Sequence, residues 1–200
     1  MMMVGGGGAD EPQLEALRSA LLDPAETEGM RAPGRIEAAV LIPVYGWPCD
    51  PGLLLTERKG HLRRHAGEIS FPGGRRDPGE SLADTALREA EEEIGLSRGR
   101  VELVGALPPV GTLVTGYKIH PFVGAIGPPE DLGLEANPDE VATLLSSSIQ
   151  ELVAGRERRR VPASRIPLRT DTFTVSGKLV WGATARILSI LLGRLEPPQE

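Results

Sequence analysis

The stretch FPGGRRDPGESLADTALREAEEEIGL, from Phe71 to Leu96, joins a pair of glycines to a dense group of glutamates. The Pro-Gly-Gly at its start should interrupt any extended segment before it. Residues Ser81–Ile94 predict a helix, because the serine is a favoured N-terminal cap and the following Gly95 is a favoured stop. The glutamates of this helix are either ordinary solvated surface or a metal site.

A helical wheel separates these glutamates from one another. The apolar side chains form one stripe that should face the core: Leu82, Ala83, Ala86, Leu87, Ala90 and Ile94. Glu89 and Glu93 lie at the edge of this stripe, and Glu92 lies just beyond it. The residues further round are Asp84, Thr85, Arg88 and Glu91. Of the glutamates, only Glu91 fits an ordinary solvated face well.

Glu89 and Glu93 form a like-charge pair four residues apart, which costs a few tenths of a kcal/mol even on an exposed helix. The repulsion should be greater beside apolar surface. A divalent cation would remove the conflict, because Mg²⁺ prefers carboxylate oxygens, waters and substrate phosphates as ligands. Arg88 can pair with Glu92 one turn along the helix and orient it. The pattern therefore predicts a metal site.

The stretch resembles the Nudix box, which reads Gly, five residues, Glu, seven residues, Arg-Glu-apolar-x-Glu-Glu-x-Gly-apolar. The matching residues are Gly74, Glu80, Arg88, Glu89, Ala90, Glu92, Glu93, Gly95 and Leu96. Every position matches, although Ala90 is only a small apolar residue. The resemblance implies an α/β fold: an α/β/α sandwich with a mixed β-sheet and the catalytic loop and helix at one end.

The same resemblance implies a chemistry, the metal-dependent hydrolysis of a nucleoside diphosphate linked to another group. It implies Mg²⁺ or Mn²⁺ as cofactor, held by Glu89, Glu92 and Glu93 with the Gly73 carbonyl as a further ligand. These glutamates would also be the catalytic residues, together with Arg88. Glu80 would stabilise the loop rather than bind metal directly.

The segment LLTERKGHLRRHAGEISFPGG, from Leu54 to Gly74, resembles the signature of the coenzyme A pyrophosphatases within this family. The matching residues are Leu54, Leu55, Thr56, Arg58, Arg63, Gly67, Phe71, Pro72, Gly73 and Gly74. Lys59 departs from the pattern, which usually has a small residue there. With TGYKIHPFVG and VWGATARIL further on, the resemblance covers about residues 36–193. It implies substrate contacts from Arg58, Arg63, Phe71 and Gly74.

Coenzyme A carries a 3′-phosphate besides its diphosphate, and a basic group precedes the box: Arg58, Lys59, Arg63, Arg64 and His65. Charge-assisted hydrogen bonds from its arginines could hold the extra phosphate. A metal-activated water would attack phosphorus, giving 4′-phosphopantetheine and adenosine 3′,5′-bisphosphate. Glu92, Glu93 and the more distant Glu140 are candidates for the base, and a structural role is also open for Glu140.

Three alternatives stay open at this point. A pyrophosphatase for ADP-ribose, NADH or a damaged nucleotide would share the box but should lack the segment before it. A non-catalytic regulatory module on the same fold usually has a degenerate box, whereas this box is intact. An RNA-decapping enzyme fits poorly with the acidic net charge and with the absence of an RNA-binding segment. The run Arg158–Arg160 is expected at the surface.

The rest of the chain predicts one domain, residues 35–195, behind an N-terminal extension (1–34) with a Gly-rich start and a short helix, and before a tail (196–200). The predicted strands are Ile36–Val44 and Leu53–Glu57, forming a hairpin, then Val101–Leu107 and Lys118–Ile126. Residues 127–139 predict a loop. Ser148–Ala154 and the apolar Trp181–Leu195 predict helices, with strands near Ile166 and Phe173 between them.

Bulk composition limits the function classes. The chain has 200 residues and a formal net charge of -6, which argues against a general nucleic-acid binder. Cys49 is the single cysteine, so no intrachain disulfide can form. The absence of an apolar run long enough for a bilayer predicts a cytoplasmic protein without membrane contact. The expected partner is a small-molecule substrate; the apolar C-terminal helix either packs internally or contributes to a homodimer.

Overall fold

A computed structural model describes residues 11–60, 67–112, 115–161 and 168–195. The helices are α1 (Glu11–Ala20), α2 (Pro24–Glu28), α3 (Leu82–Ile94), α4 (Ile149–Ala154) and α5 (Gly182–Leu195). The strands are β1 (Ile36–Tyr45), β2 (Gly52–Arg58), β3 (Ile69–Ser70), β4 (Gly73–Arg75), β5 (Val101–Ala106), β6 (Val110–Gly111), β7 (Tyr117–Ile126), β8 (Val141–Ser148), β9 (Glu157–Val161), β10 (Leu168–Val175) and β11 (Lys178–Val180).

Eight strands form one mixed sheet, in the order β3-β2-β1-β7-β5. Strands β4, β6 and β8 pair with β1, β7 and β2 respectively. Strands β1 and β7 are parallel, and the other pairs in this sheet are antiparallel. The predicted hairpin is confirmed, because Val44 pairs with Leu53 across the β1–β2 turn. A smaller antiparallel sheet has the order β11-β10-β9.

Helices cover both faces of the large sheet. Along β1, Leu41 packs against the apolar stripe of α3, while the adjacent Ile42 lies in a second core with residues of α1 and α5. This alternation follows from the two-residue period of a strand. The predicted mixed α/β architecture is therefore confirmed. Helix α1 contributes Leu14 and Leu17 to the same core as the sheet, so the helix of residues 1–34 packs directly on the body.

Helix α3 begins and ends as its sequence predicts. The Ser81 hydroxyl accepts a hydrogen bond from the Asp84 amide at 3.0 Å, and Gly95 takes the left-handed conformation with φ of 68°. The helical wheel places Thr85 on the outer face of α3. This prediction is wrong, because Thr85 is fully buried. Its hydroxyl donates to Glu80 at 2.7 Å, so the loop before the helix covers this position.

Several predictions beyond α3 need correction or stay outside the described residues. The Pro-Gly-Gly break contains a short strand, β4, and the segment after Glu140 is the strand β8 along β2. Helix α5 begins at Gly182, one residue later than predicted, and its apolar face is buried. The predicted strand at Phe173 is confirmed as β10, whereas Ile166 lies outside the described ranges. Within those ranges, no helix has the length and apolarity that a membrane span requires.

Candidate metal and catalytic site

The three glutamates predicted to bind metal differ in exposure. They lie on the second half of α3, whose other side packs on β1 and β7. Glu93 is buried, with only 2% of its surface exposed. Glu89 is half-buried and Glu92 is exposed. This order matches their positions relative to the apolar stripe, and Glu91 is exposed as expected for plain surface.

Glu93 is enclosed by the strands that meet beneath α3. One carboxylate oxygen accepts a hydrogen bond from Arg58 Nη1 at 3.2 Å, and the other accepts from the Gly73 amide at 3.3 Å. Burial raises the pKa of Glu93 to about 7, and the Arg58 charge and the Gly73 amide oppose that rise. The charges of Glu89 and Glu140 raise the pKa further. Glu93 therefore gains or loses its proton near neutral pH when no cation is bound.

Glu89 lies directly against the glycine pair. A Cβ atom added at Gly74 would overlap the Glu89 carboxylate, so glycine is what allows this approach. Burial raises the pKa of Glu89, and the adjacent Arg88 lowers it. The charges of Glu92 and Glu140 also raise it. Gly74 therefore leaves space for the Glu89 carboxylate. The contact between Gly74 and substrate stays a prediction.

Arg88 connects three carboxylates. Its Nε atom lies 2.9 Å from Glu80 Oε1, and its Nη1 atom lies 2.8 Å from Glu89 Oε1 and 3.0 Å from Glu92 Oε2. The expected pairing with Glu92 is thus present. The pKa of Arg88 is raised, first by its hydrogen bond to Glu80. A guanidinium in this arrangement fixes the positions of the acids around it.

Glu80 holds the loop before α3. The hydrogen bond from Arg88 lowers the pKa of Glu80 to about 2, and the Thr85 hydroxyl and Asp77 amide also donate to it. Its carboxylate is therefore ionised and fully engaged with the loop and helix. These contacts agree with a loop-stabilising role, as the resemblance implies.

Glu140 approaches the site although it lies far from the box in the chain. Its carbonyl accepts from the Lys59 amide at 3.0 Å, and its Oε2 atom lies 3.9 Å from Arg58 Nη2. Strands β2 and β8 bring these residues together, with an irregular register at Arg58. The sequence suggested Glu140 only as a candidate base or a loop residue. Its influence on the pKa values of Glu89 and Glu93 places it electrostatically with the other acids.

The donor set fits a hard divalent cation in its chemistry. Glu89 and Glu93 have pKa values raised by burial and by neighbouring carboxylates, and bound positive charge would relieve both effects. Across the described ranges, no three or more His, Cys, Asp or Glu side chains are already arranged to hold a metal ion. The acids instead pair with Arg58 and Arg88, so some carboxylates would have to turn from an arginine to coordinate.

The predicted substrate-contacting residues divide into three cases. Phe71 is buried, with 2% of its surface exposed, in the core with α5 and β2, so the structure assigns it a packing role and its substrate contact stays a prediction. Arg58 faces the acids of the site. Arg63, like Arg64 and His65, lies outside the described residues. The arginine run 158–160 is exposed on β9, and Arg159 pairs with Glu157 at 2.6 Å, as expected for surface.

Comparisons with known proteins agree with the box. The NUDIX domain model matches residues 37–161. The protein called uncharacterized Nudix hydrolase NudL, from Escherichia coli O1:K1, is 44% identical over 159 residues, covering 76% of this chain and 79% of that protein. The protein of the same name from Shigella boydii serotype 18 matches equally well.

Solved structures give weaker matches. RenU, a Nudix hydrolase from M. smegmatis, is 21% identical with a TM-score of 0.49, covering 60% of this chain and 75% of that one. The NUDIX domain of Shewanella oneidensis NrtR, solved with ADP ribose, is 19% identical with a TM-score of 0.46, covering 68% and 84%. Neither likeness is close enough to support an argument about substrate.

Proposed function

Because this chain belongs to the Nudix hydrolase family, we propose that it is a metal-dependent pyrophosphohydrolase acting on coenzyme A or its derivatives. The products are 4′-phosphopantetheine and adenosine 3′,5′-bisphosphate. A small-molecule substrate, a cytoplasmic location and a homodimer remain predictions from the sequence.

The observation that carries this proposal is the contact between its two diagnostic segments. Arg58, from the segment that resembles coenzyme A pyrophosphatases, lies 3.2 Å from Glu93 of the box. An arginine there is within reach of any phosphate drawn to the acidic site, and its fork geometry suits phosphate oxygens. The segment that would choose the substrate therefore adjoins the residues that would perform the reaction.

The residues have separate roles in the proposed reaction. Glu89, Glu92 and Glu93 would hold Mg²⁺ or Mn²⁺ with the Gly73 carbonyl, and the ion supplies charge neutralisation and an acidified water. Arg88 fixes Glu89 and Glu92. Arg58 would donate to a substrate phosphate. A proton acceptor is needed in the same place, and Glu93, Glu92 and Glu140 all remain candidates.

Product analysis tests the proposal directly. The purified protein is incubated separately with coenzyme A, ADP-ribose and NADH, with and without Mg²⁺, and the products are identified by mass spectrometry. We expect Mg²⁺-dependent masses of 4′-phosphopantetheine and adenosine 3′,5′-bisphosphate. Equal or faster cleavage of ADP-ribose would replace coenzyme A as the proposed substrate. Binding of these compounds without cleavage of any would favour the regulatory module.

A further inference from the structure

A cavity of about 580 Å³ opens beside the acidic site, where β1 begins and β4 ends. Its wall contains three arginines and two carboxylates, followed by a Pro-Gly turn. The charged lining residues are Arg35, Glu37, Arg75, Arg76 and Asp77. The residues assigned above to metal binding and catalysis do not line it, so its chemistry is not explained by the proposed reaction centre.

Two of the three arginines have guanidinium groups without a partner among the described residues. Arg76 is engaged, since its Nη1 atom lies 2.7 Å from Glu37 Oε2 and its Nε atom donates to the Glu80 carbonyl at 2.6 Å. Arg35 and Arg75 have exposed side chains, and neither forms an ion pair or side-chain hydrogen bond with any described residue. Two arginines that have no partner in the described part of the chain lie beside one concavity, and guanidinium groups suit the geometry and charge of a phosphate.

The cavity is within a substrate's length of the glutamates. Arg75 directly follows Gly74, where an added Cβ atom would meet the Glu89 carboxylate. Gly74 pairs with Ala39 across β4 and β1, and the cavity wall extends back along β1 to Ile36. Three strand residues span roughly 10 Å. A group bound by Arg35 and Arg75 would therefore lie beside the diphosphate site, not on a remote surface.

We infer that this arginine-lined cavity is the subsite for a phosphomonoester that the substrate carries in addition to its diphosphate, with Arg35 and Arg75 as its ligands. The inference rests on the proposed function, because coenzyme A carries such a group, its 3′-phosphate, one ribose away from the diphosphate. It also assigns the 3′-phosphate to Arg35 and Arg75 rather than to Arg58, whose guanidinium faces Glu93 and Glu140 and is left to contact the diphosphate.

The test compares coenzyme A with dephospho-coenzyme A, which lacks only the 3′-phosphate. Values of kcat/KM are measured for the wild type, for Arg35→Ala/Arg75→Ala, and for the control Arg100→Ala/Arg186→Ala. The control removes the same charge from two exposed arginines away from the cavity. We expect the wild type and the control to prefer coenzyme A about tenfold or more, and the cavity variant to lose this preference mainly through KM.

The outcomes separate this inference from the proposed function. Hydrolysis of coenzyme A with an unchanged preference in the cavity variant would overturn the subsite and leave the proposed function standing. Equal hydrolysis of both substrates by the wild type would do the same. Hydrolysis of neither would remove the proposed function and the subsite together.

Calorimetric binding gives a second measurement that does not depend on turnover. Adenosine 3′,5′-bisphosphate and AMP are titrated into the three proteins in EDTA. We expect the wild type and the control to bind the bisphosphate more tightly, and the cavity variant to lose about tenfold of that affinity. Equal affinities of the wild type and the cavity variant for the bisphosphate would contradict the inference. Thermal unfolding verifies that the variants are folded.

Discussion

Arg58 and Glu93 are paired at 3.2 Å across the edge of α3, although 35 positions separate them in the chain. Arg58 provides the charge that lets a buried carboxylate exist as an anion, and it lowers the pKa of Glu93 against the effect of burial. The pair joins strand β2 to the acidic helix. A cation bound to Glu93 would compete with Arg58 for the same oxygens. Under the proposed function, metal binding and substrate binding would therefore both involve this pair.

Glu89→Gln and Glu93→Gln should each lower hydrolysis by at least about a hundredfold, because each removes a charged oxygen ligand from the proposed metal site. Initial rates over a Mg²⁺ titration provide the measurement, and calorimetry should show weaker metal binding. Glu91→Gln is the matched control, since Glu91 is on the same helix but exposed. Full activity in the Glu89 and Glu93 variants would refute the assignment of the metal site.

Stability without metal should fall as the pH rises, through Glu93. Its pKa is raised from 4.5 to about 7 in the folded protein, so the folded state binds the proton more tightly than the unfolded state. The contribution is fully present below pH 4.5 and is lost as the pH rises through 7, amounting to at most about 3 kcal/mol.

Urea unfolding in EDTA at pH 5 and pH 8 measures this effect as a difference between wild type and Glu93→Gln, whose amide does not titrate. The difference isolates Glu93 from other titrating groups. We expect the wild type to lose more stability than the variant between the two pH values. Identical pH profiles would show that Glu93 keeps an ordinary pKa. Added Mg²⁺ should restore wild-type stability at pH 8 and have less effect on the variant.

Local signals explain why α3 could be predicted from the sequence. Its cap, its apolar stripe and its left-handed glycine stop all lie within the segment itself, and the structure retains each of them. The positions of Glu89 and Glu93 beside the core follow from the same wheel. Thr85 escaped prediction because its cover comes from Glu80 in the preceding loop, which a wheel does not include.

The elements that escaped prediction depend on distant partners. Strand β8 is rich in serine and shows no clear alternation of apolar residues, but it pairs along β2 over most of its length. Strand β4 begins with two glycines, which are disfavoured in strands, and it forms because it can pair with β1 there. The pairing of Arg58 with Glu93 and the arrival of Glu140 require the same tertiary contacts. A sequence motif identifies the acidic residues, whereas the tertiary fold determines which arginine side chains lie next to them.

Gly74→Ala should disturb the metal site with little damage to the fold. The new methyl group would meet the Glu89 carboxylate, which is the mobile end of a side chain and can move away. We expect metal affinity to fall about tenfold, as for loss of a supporting contact in a metal site. Gly99→Ala is the control, because a Cβ there meets nothing within 4 Å. Calorimetric metal titration measures the affinity, and thermal unfolding measures the stability. Loss of stability in Gly74→Ala with unchanged metal affinity would contradict the prediction.

Arg88→Ala should destabilise the protein more than loss of Arg98, an exposed arginine that follows α3 and pairs with Asp84 of that helix. The Arg88 side chain is 27% exposed and that of Glu80 is 17% exposed. The substitution removes the main counterion of Glu80. We expect about 1–3 kcal/mol from this unpaired, partly buried carboxylate. Arg98→Ala breaks a pair with Asp84 in which both side chains are about half exposed, so it should cost at most about 1 kcal/mol. Urea unfolding at pH 7 compares the two, and equal losses would show that Glu80 does not depend on Arg88.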